Sequence, residues 1–171
     1  RPDHAASSLR RGHGRSSTIA VVLEDLANPF SAALHRAVVD AARARGVLVL
    51  SASSDEDPAD ERDAVAAFTA RRVDGVILMP TSADHGWMAD ELAAGTAMVM
   101  VDRPAGGLDA VVSDNRAAAA RATAHLLRRG HRRVGFLGDL RDIYTAQERH
   151  LGYRDALAES GVDVDERLVR R

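Results

Sequence analysis

The chain contains no cysteine and no lysine. The first absence removes disulfides, thiolate nucleophiles and cysteine-held metals together, and it suits a reducing compartment. The second leaves arginine as the only strong base, so neither a G-x-x-x-x-G-K-[ST] phosphate loop nor the lysine of a phosphoacceptor receiver site can be built. Aromatic residues are scarce, the apolar residues are mostly Ala, Val and Leu, and this composition fits a GC-rich genome better than any mechanism. No apolar run approaches the roughly 20 residues that cross a bilayer, and residues 1–14 lack the apolar core of a signal peptide. No membrane partner is expected, and the expected location is the cytoplasm. The formal net charge of −2 gives the body of the protein no general attraction to nucleic acid or anionic membrane.

At 171 residues the chain accommodates one domain of ordinary size, or one domain and part of another, but not two complete large ones. Its first residues carry Arg1, Arg10 and Arg11 beside Ser7, Ser8 and Gly12, with a short stripe of small and apolar residues at Ala5, Ala6 and Leu9. This stub has no core-building periodicity and reads as a linker between a nucleic-acid module and a ligand-sensing domain. Beyond it, short β-branched runs alternate with segments of helical period, the pattern of a doubly wound parallel α/β sheet. Strands are expected over 18–23, 47–51, 75–79, 97–101 and 110–113.

The helices between them carry recognisable ends. Asn28 and Pro29 start the first, which should turn Phe30, Leu34, Ala37, Val38 and Ala41 toward the core and stop at Gly46. Asp57 and Pro58 repeat the device, with Val65 and Phe68 on the apolar face. A third helix is expected over 84–94, with Trp87, Met88, Glu91 and Leu92 at helical spacing. Asp114 or Asn115 caps a fourth that ends at Gly130. The pattern then restarts with a sixth strand over 131–138 and a helix over 145–160 ended by Gly161. Residues 162–171 are polar and show no partner element. A lone βα unit cannot bury its own apolar face, so this last unit either extends the first sheet or opens a second lobe.

Several segments, taken in order, resemble the lactose-repressor (LacI) family of bacterial transcription regulators. They are the stub from Pro2 to Leu9, Asn28-Pro29-Phe30 after the first strand, the run from Asp74 and Gly75 to Pro80, and Val101-Asp102-Arg103-Pro104 after the fourth strand. Asp114-Asn115, the run from Leu126 through His131 to Gly138, and the run from Arg149 through Gly152 and Tyr153 to Leu157 complete the series. The resemblance implies a periplasmic-binding-protein-like effector core, with 1–17 a hinge remnant, 18–129 the first lobe and 130–171 the incomplete start of a second. It further implies a homodimeric repressor that binds operator DNA and is controlled by a small effector, a sugar or related metabolite, in a cleft between lobes. No cofactor and no metal are expected. The helix-turn-helix headpiece and the remainder of the second lobe lie outside the given sequence, and a truncated form should leave a sheet edge open and half the cleft unbuilt.

Ligands of open α/β sheets sit beyond the carboxyl ends of the strands. Asp102, beside Arg103, falls there and can accept hydrogen bonds from a polyhydroxylated ligand; a surface or helix-capping ion pair is the plainer reading of the same two residues, and the resemblance favours the ligand role. The resemblance also places a ligand-contacting arginine at Arg149, where the neighbouring Glu148 offers no clear partner. Phe30 reads equally as a stacking platform or as core. Thr81 and Thr145 are hydroxyl residues in suitable loops. Ala6 and Leu9 match the hinge face whose leucine wedges into the minor groove, with Arg10 and Arg11 toward phosphates; a solvated linker is the alternative. The dimer face is expected on the first and third helices, with Trp87 and Met88 partly exposed.

Enzymes and other modules are disfavoured. There is no G-x-S-x-G elbow, Gly12 and Gly14 precede rather than follow the first strand, and the seven histidines include no i, i+4 pair for zinc. A receiver domain finds Glu24 and Asp25 after the first strand, but Met79 and Pro80 end the third where its aspartate should stand. The main alternative is a sugar-binding protein of the same fold, soluble or exported, without DNA binding.

Overall fold

Thr18–Leu23 forms β1, whose last four residues are fully buried, as befits a strand covered on both faces. It pairs in parallel with β2 (Leu48–Ser53) on one side and β3 (Gly75–Leu78) on the other. β4 (Ala97–Val101) and the two-residue β5 (Ala110–Val111) complete a parallel sheet of order β2-β1-β3-β4-β5. The computed structural model describes residues 16–82, 85–93, 95–139 and 143–170. By internal contacts the chain divides into two compact units, one ending at Val111 and one beginning at Val112.

In the first unit, α1 (Pro29–Arg43) begins where the Asn28 side chain accepts the Phe30 N–H at 2.9 Å, with Pro29 in the first turn. Its inward stripe is Ser31, Leu34, Val38 and Ala42, the middle pair packing on Val21, Leu23 and Met79. The stripe is therefore rotated from the expected one: Phe30 is 50% exposed and Ala37 and Ala41 face water. The reason is polar. The Ser31 hydroxyl donates to the buried Glu24 carboxylate at 2.7 Å, and a buried carboxylate needs such a donor more than the core needs Phe30.

On the opposite face of the sheet, α2 (Pro58–Thr69) starts with Asp57 accepting from Ala59 and Asp60. It places Glu61, Val65 and Phe68 inward at i, i+4, i+7. Val65 joins Ala20, Val22, Leu78, Met98 and Met100. Glu61 is wholly buried, yet both oxygens are used: one accepts the Thr81 N–H and the other meets His85 Nε2, each at 2.7 Å. The third helix is shorter than expected, α3 running Met88–Ala93, and residues 84 and 94 lie outside the described residues. Met88 is 1% exposed and belongs to the same apolar cluster, which corrects its expected place on an exposed dimer face; Trp87 is partly buried against that cluster.

The second unit is built on α4 (Asn115–Arg128), capped by Asp114, and α5 (Tyr144–Glu159). Leu127 of α4, with Ala120 and Ala124 beside it, packs with Tyr153, Ala156 and Leu157 of α5. By internal contacts α4 falls in the same compact unit as α5, the element that covers its apolar face. Gly152 makes the pairing possible. A methyl there would fall on the Arg116 carbonyl and lie 3.0 Å from the Ala120 nitrogen. At the rim, Arg116 holds Asp155 with two bonds of 2.6 and 3.1 Å, and the Tyr153 hydroxyl donates to the Val134 carbonyl at 2.9 Å.

Two further expectations are corrected here. The sixth strand is not eight residues but two, β6 (Phe136–Leu137). The tail that starts at Val162 does have a partner: after a 3-10 turn at Glu166–Leu168, β7 (Val169–Arg170) pairs in parallel with β6. Val162, Val164 and Val169 supply the apolar contacts that make the tail part of this unit.

Gly152→Ala is expected to lower the stability of the second unit by about 1–3 kcal/mol or more through overpacking, read as a lower denaturation midpoint in urea; an unchanged midpoint would show that α4 and α5 are not so tightly apposed. A titration tests the tail. Asp165 accepts two side-chain bonds and a backbone N–H from Arg167, which hold its carboxyl down at about 2. Its contribution is thus fully present above the unfolded carboxyl value of about 3.9 and fades as pH falls toward 2. Carboxyl-carbon NMR should find this low midpoint in the native chain and an ordinary one in Arg167→Ala.

Candidate functional site

The carboxyl ends of β1 to β4 carry an interlaced set of polar side chains. After β4, Asp102 adopts a left-handed backbone, φ +65°, a conformation that Asp tolerates better than most residues because its short side chain bonds locally. The Asp102 N–H donates to Val111 and the Arg103 N–H to Val101. This turn sends the Arg103 side chain inward, where it is 9% exposed. Its guanidinium makes two parallel bonds to Glu56, of 3.0 and 2.8 Å, and one of 3.3 Å to the Pro80 carbonyl. The Asp102 carboxylate stands 4.0 Å from Arg103 Nε.

Burial alone would lower the Arg103 pKa. The bond and charge of Glu56, with the charges of Glu24 and Asp102, outweigh it and hold the guanidinium above its ordinary value. One arginine thus ties together the loops after β2, β3 and β4. The expected Asp102–Arg103 pairing is the looser part of this cluster, and Glu56 is the principal partner. Glu56 is itself placed by two consecutive left-handed residues, Asp55 at φ +48° and Glu56 at φ +60°, and its N–H bonds to the Glu24 carbonyl. Strained backbone of this kind persists where the surroundings over-determine it.

Around this clamp stand the other expected residues of the first unit. Phe30 presents a half-exposed ring from the first turn of α1, which removes the core reading of that ring. Thr81, partly buried after β3, has its N–H fixed by Glu61 while its hydroxyl oxygen is buried without a hydrogen-bond partner in the protein. Glu24, 6% exposed, accepts from Ser31 through one oxygen, and the other oxygen is likewise buried and without a hydrogen-bond partner.

Arg149 and Thr145 belong to the second unit. Arg149 Nε donates to Asn115 Oδ1 at 2.8 Å, and Asn115 in turn donates to the Ser113 carbonyl at 3.2 Å. The partner missing at Glu148 is therefore a buried amide from α4. Arg149 stands at the rim of a groove of about 350 Å³ lined by small residues of α4 together with Phe136 and Tyr153. Thr145 is buried in the first turn of α5. The hinge residues Ala6 and Leu9 lie outside the described residues.

Sequence reasoning missed Glu24, Ser31, Glu56, Glu61, His85 and Asn115 as parts of these networks. A signal existed for some. Glu61 occupies the inward stripe of α2 four residues before Val65, and a charge in such a stripe needs a buried partner. Glu24 and Ser31, seven apart, had no visible relation until β1 and α1 were placed. Among the described residues no group of three or more metal-binding side chains occurs, and no helix is long and apolar enough to cross a membrane. What the first unit offers is hydrogen-bonding capacity: carboxylates that accept from hydroxyl or ammonium groups, the Arg103 guanidinium, the Thr81 hydroxyl and the face of Phe30.

Residues 16–171 match the family model of periplasmic binding proteins and the sugar-binding domain of the LacI family. The chain is 30% identical over 167 residues to the fructose operon regulatory protein of Vibrio cholerae, covering 95% of this chain and 50% of that protein. It is 31% identical over 171 residues to the HTH-type transcriptional regulator DegA of Bacillus subtilis, covering 97% and 50%. Among solved structures, the Cra transcriptional dual regulator of Pseudomonas putida in complex with fructose 1-phosphate superposes with a TM-score of 0.81 at 29% identity, over 91% of this chain and 57% of that one. The chain spans about half the length of the curated relatives it matches, and these relatives are transcriptional regulators rather than enzymes. The parallel sheet, the loops that gather at its carboxyl edge and a family match running from residue 16 to residue 171 together make this chain a member of the LacI-type periplasmic-binding-protein and sugar-binding domain family.

Proposed function

We propose that the chain is the effector-sensing part of a LacI-type transcriptional regulator and that its effector is a sugar or a related polyhydroxylated metabolite. The observation that carries the reading is the buried Arg103 clamp, which fixes Asp102 and the loops around it without taking the Asp102 carboxylate as its main partner. A preorganised acceptor and an exposed aromatic ring, both following strands of one sheet, are what hydroxyl recognition requires. In this reading Asp102 accepts ligand hydroxyl bonds, Phe30 packs on the apolar face of the sugar and Thr81 adds a hydroxyl contact. Arg149, oriented by Asn115, donates to ligand oxygens, with Thr145 in the adjoining turn.

The regulatory step is a matter of linkage. An effector that binds one conformation of the complete regulator more tightly shifts it toward that conformation and so changes operator affinity. Operator binding and dimer formation belong to the complete regulator in this proposal. The family also includes periplasmic binding proteins, but the relatives matched in curated sequence are regulators, which favours the regulatory reading over a sugar-binding protein without DNA binding.

The test is a thermal-shift screen of the chain against neutral and phosphorylated sugars, followed by calorimetry on any sugar that stabilises it. Asp102→Asn and Arg149→Ala should each weaken binding of that sugar by about tenfold or more, the loss of one charge-assisted hydrogen bond, while the ligand-free melting temperature stays within a few degrees. Asn retains the left-handed backbone at 102, and Arg149 is exposed. Unchanged affinity in both variants would remove these residues from the site, and no stabilisation by any sugar would overturn the reading itself.

A further inference from the structure

The two residues that lead into β1 are held by one carboxylate. Asp74 Oδ1 accepts the Ser16 N–H at 2.6 Å and the Ser16 hydroxyl at 3.1 Å, and Asp74 Oδ2 accepts the Ser17 N–H at 2.9 Å. Consecutive main-chain N–H groups converging on a carboxylate make charge-assisted bonds, stronger than neutral ones. They act on Ser17 in a left-handed backbone, φ +54°, a conformation serine seldom adopts without such constraint. The sheet itself does not call for this arrangement. Its ladder already fixes Thr18, whose carbonyl accepts the Asp74 N–H at 2.7 Å, and the Ser17 carbonyl accepts from Leu48 at 2.9 Å. The carboxylate reaches past the ladder, onto the residues that join 1–15 to the sheet. Asp74 stands immediately before β3, and Thr81 lies in the loop that leaves the opposite end of the same strand. Because β3 is paired on both sides, with β1 and with β4, it moves as a rigid element and can carry a displacement from one edge of the sheet to the other.

We propose that Asp74 is the positioning residue that couples the effector-sensing unit to the segment leading toward the DNA-binding module: it makes residues 16 and 17 follow the amino end of β3. The inference rests on the regulatory reading above and assigns the coupling to one side chain, at the sheet edge away from the ligand. An effector that settles the loops at the carboxyl edge biases the position of β3, and the Asp74 carboxylate passes that bias to the chain entering β1. Removing the carboxylate leaves the candidate ligand residues with their own supports, Glu56 on Arg103 and Glu61 on Thr81, while Ser16 and Ser17 lose the side-chain bonds that tie them to β3. Ligand binding and its transmission therefore separate at this position.

The first measurement is amide exchange by NMR on this chain near neutral pH. Ser16 and Ser17 should exchange about tenfold or more slowly than the same amides in an unstructured peptide. Asp74→Asn, which keeps the shape but turns one acceptor oxygen into a donor, should remove most of that protection while Val21 and Val22 of β1 stay protected. Free exchange of both serines in the native chain overturns the inference. The second measurement is made on the complete regulator, with an operator duplex that it selects from random DNA and with fructose, fructose 1-phosphate, glucose and glucosamine as effectors. A sugar that binds should change native operator affinity by about fivefold or more, and in Asp74→Asn that factor should fall toward one while sugar affinity stays within about twofold. A merely destabilised domain would lose both together. Asp74→Glu, which carries the charge one carbon further out, should show a partial loss of response and decides the matter if Asp74→Asn folds poorly. An undiminished response in the folded variants, or a loss of sugar affinity as large as the loss of response, overturns the inference and leaves sugar sensing in place. A native regulator that selects no duplex, or that binds none of the four sugars, overturns the regulatory reading and the inference with it.

Discussion

Charge taken out of water must find a partner inside, and the loops of the first unit are arranged by that constraint. The apolar sheet core fixes where the strands end, but not where the chain goes next. Those decisions fall to three buried ionic groups. Arg103 fastens the loop after β2 through Glu56 and the loop after β3 through the Pro80 carbonyl. Glu61 holds Thr81 and His85 from beneath, and Glu24 anchors the first turn of α1 through Ser31. Breaking one partner of such a group leaves the other stranded, which costs far more than the pair itself contributes. The loops at this edge are held by the same groups that make it polar.

The second unit solves a different problem. Its sheet has two strands of two residues each, too little to organise a core. The organising contact is helix on helix, and it depends on Gly152 leaving space for the backbone of α4. That contact sets the placement of Tyr153 against Val134 and of Arg149 against Asn115. A packing requirement thus orients a candidate binding residue, with the buried Asn115 as intermediary.

Much of this was legible in the sequence, and the misses have a common physical origin. β1 and β4 ran where their apolar runs placed them, and Asn28, Asp57 and Asp114 acted as the caps their residue types suggested. Apolar periodicity and capping are local, so a single chain displays them. The rotated face of α1 was not legible because a serine, not an apolar residue, decides it. The unit assignment of α4 was not legible because periodicity shows which side of a helix is apolar but not which neighbour covers it. The tail from Val162 escaped notice because its valines are interleaved with Asp163 and Asp165, and two-residue strands leave almost no pattern. Of the candidate residues, Asp102, Phe30 and Thr81 of the first unit and Arg149 of the second could be picked out from their loops and motifs. Their supports, Glu56, Glu61 and Asn115, are distant in sequence and became visible only with the fold.

The left-handed backbone at Asp102 and Glu56 bears on how such a site can diversify. Residues with branched or bulky side chains pay heavily for that conformation, so the substitutions open at these two positions are few and mostly polar. Glu24 carries no such backbone restriction, and what it shares with Glu56 is a main-chain bond through its carbonyl. Variation among related chains is therefore expected to spare positions 56 and 102 and to fall on neighbouring residues whose backbone is ordinary.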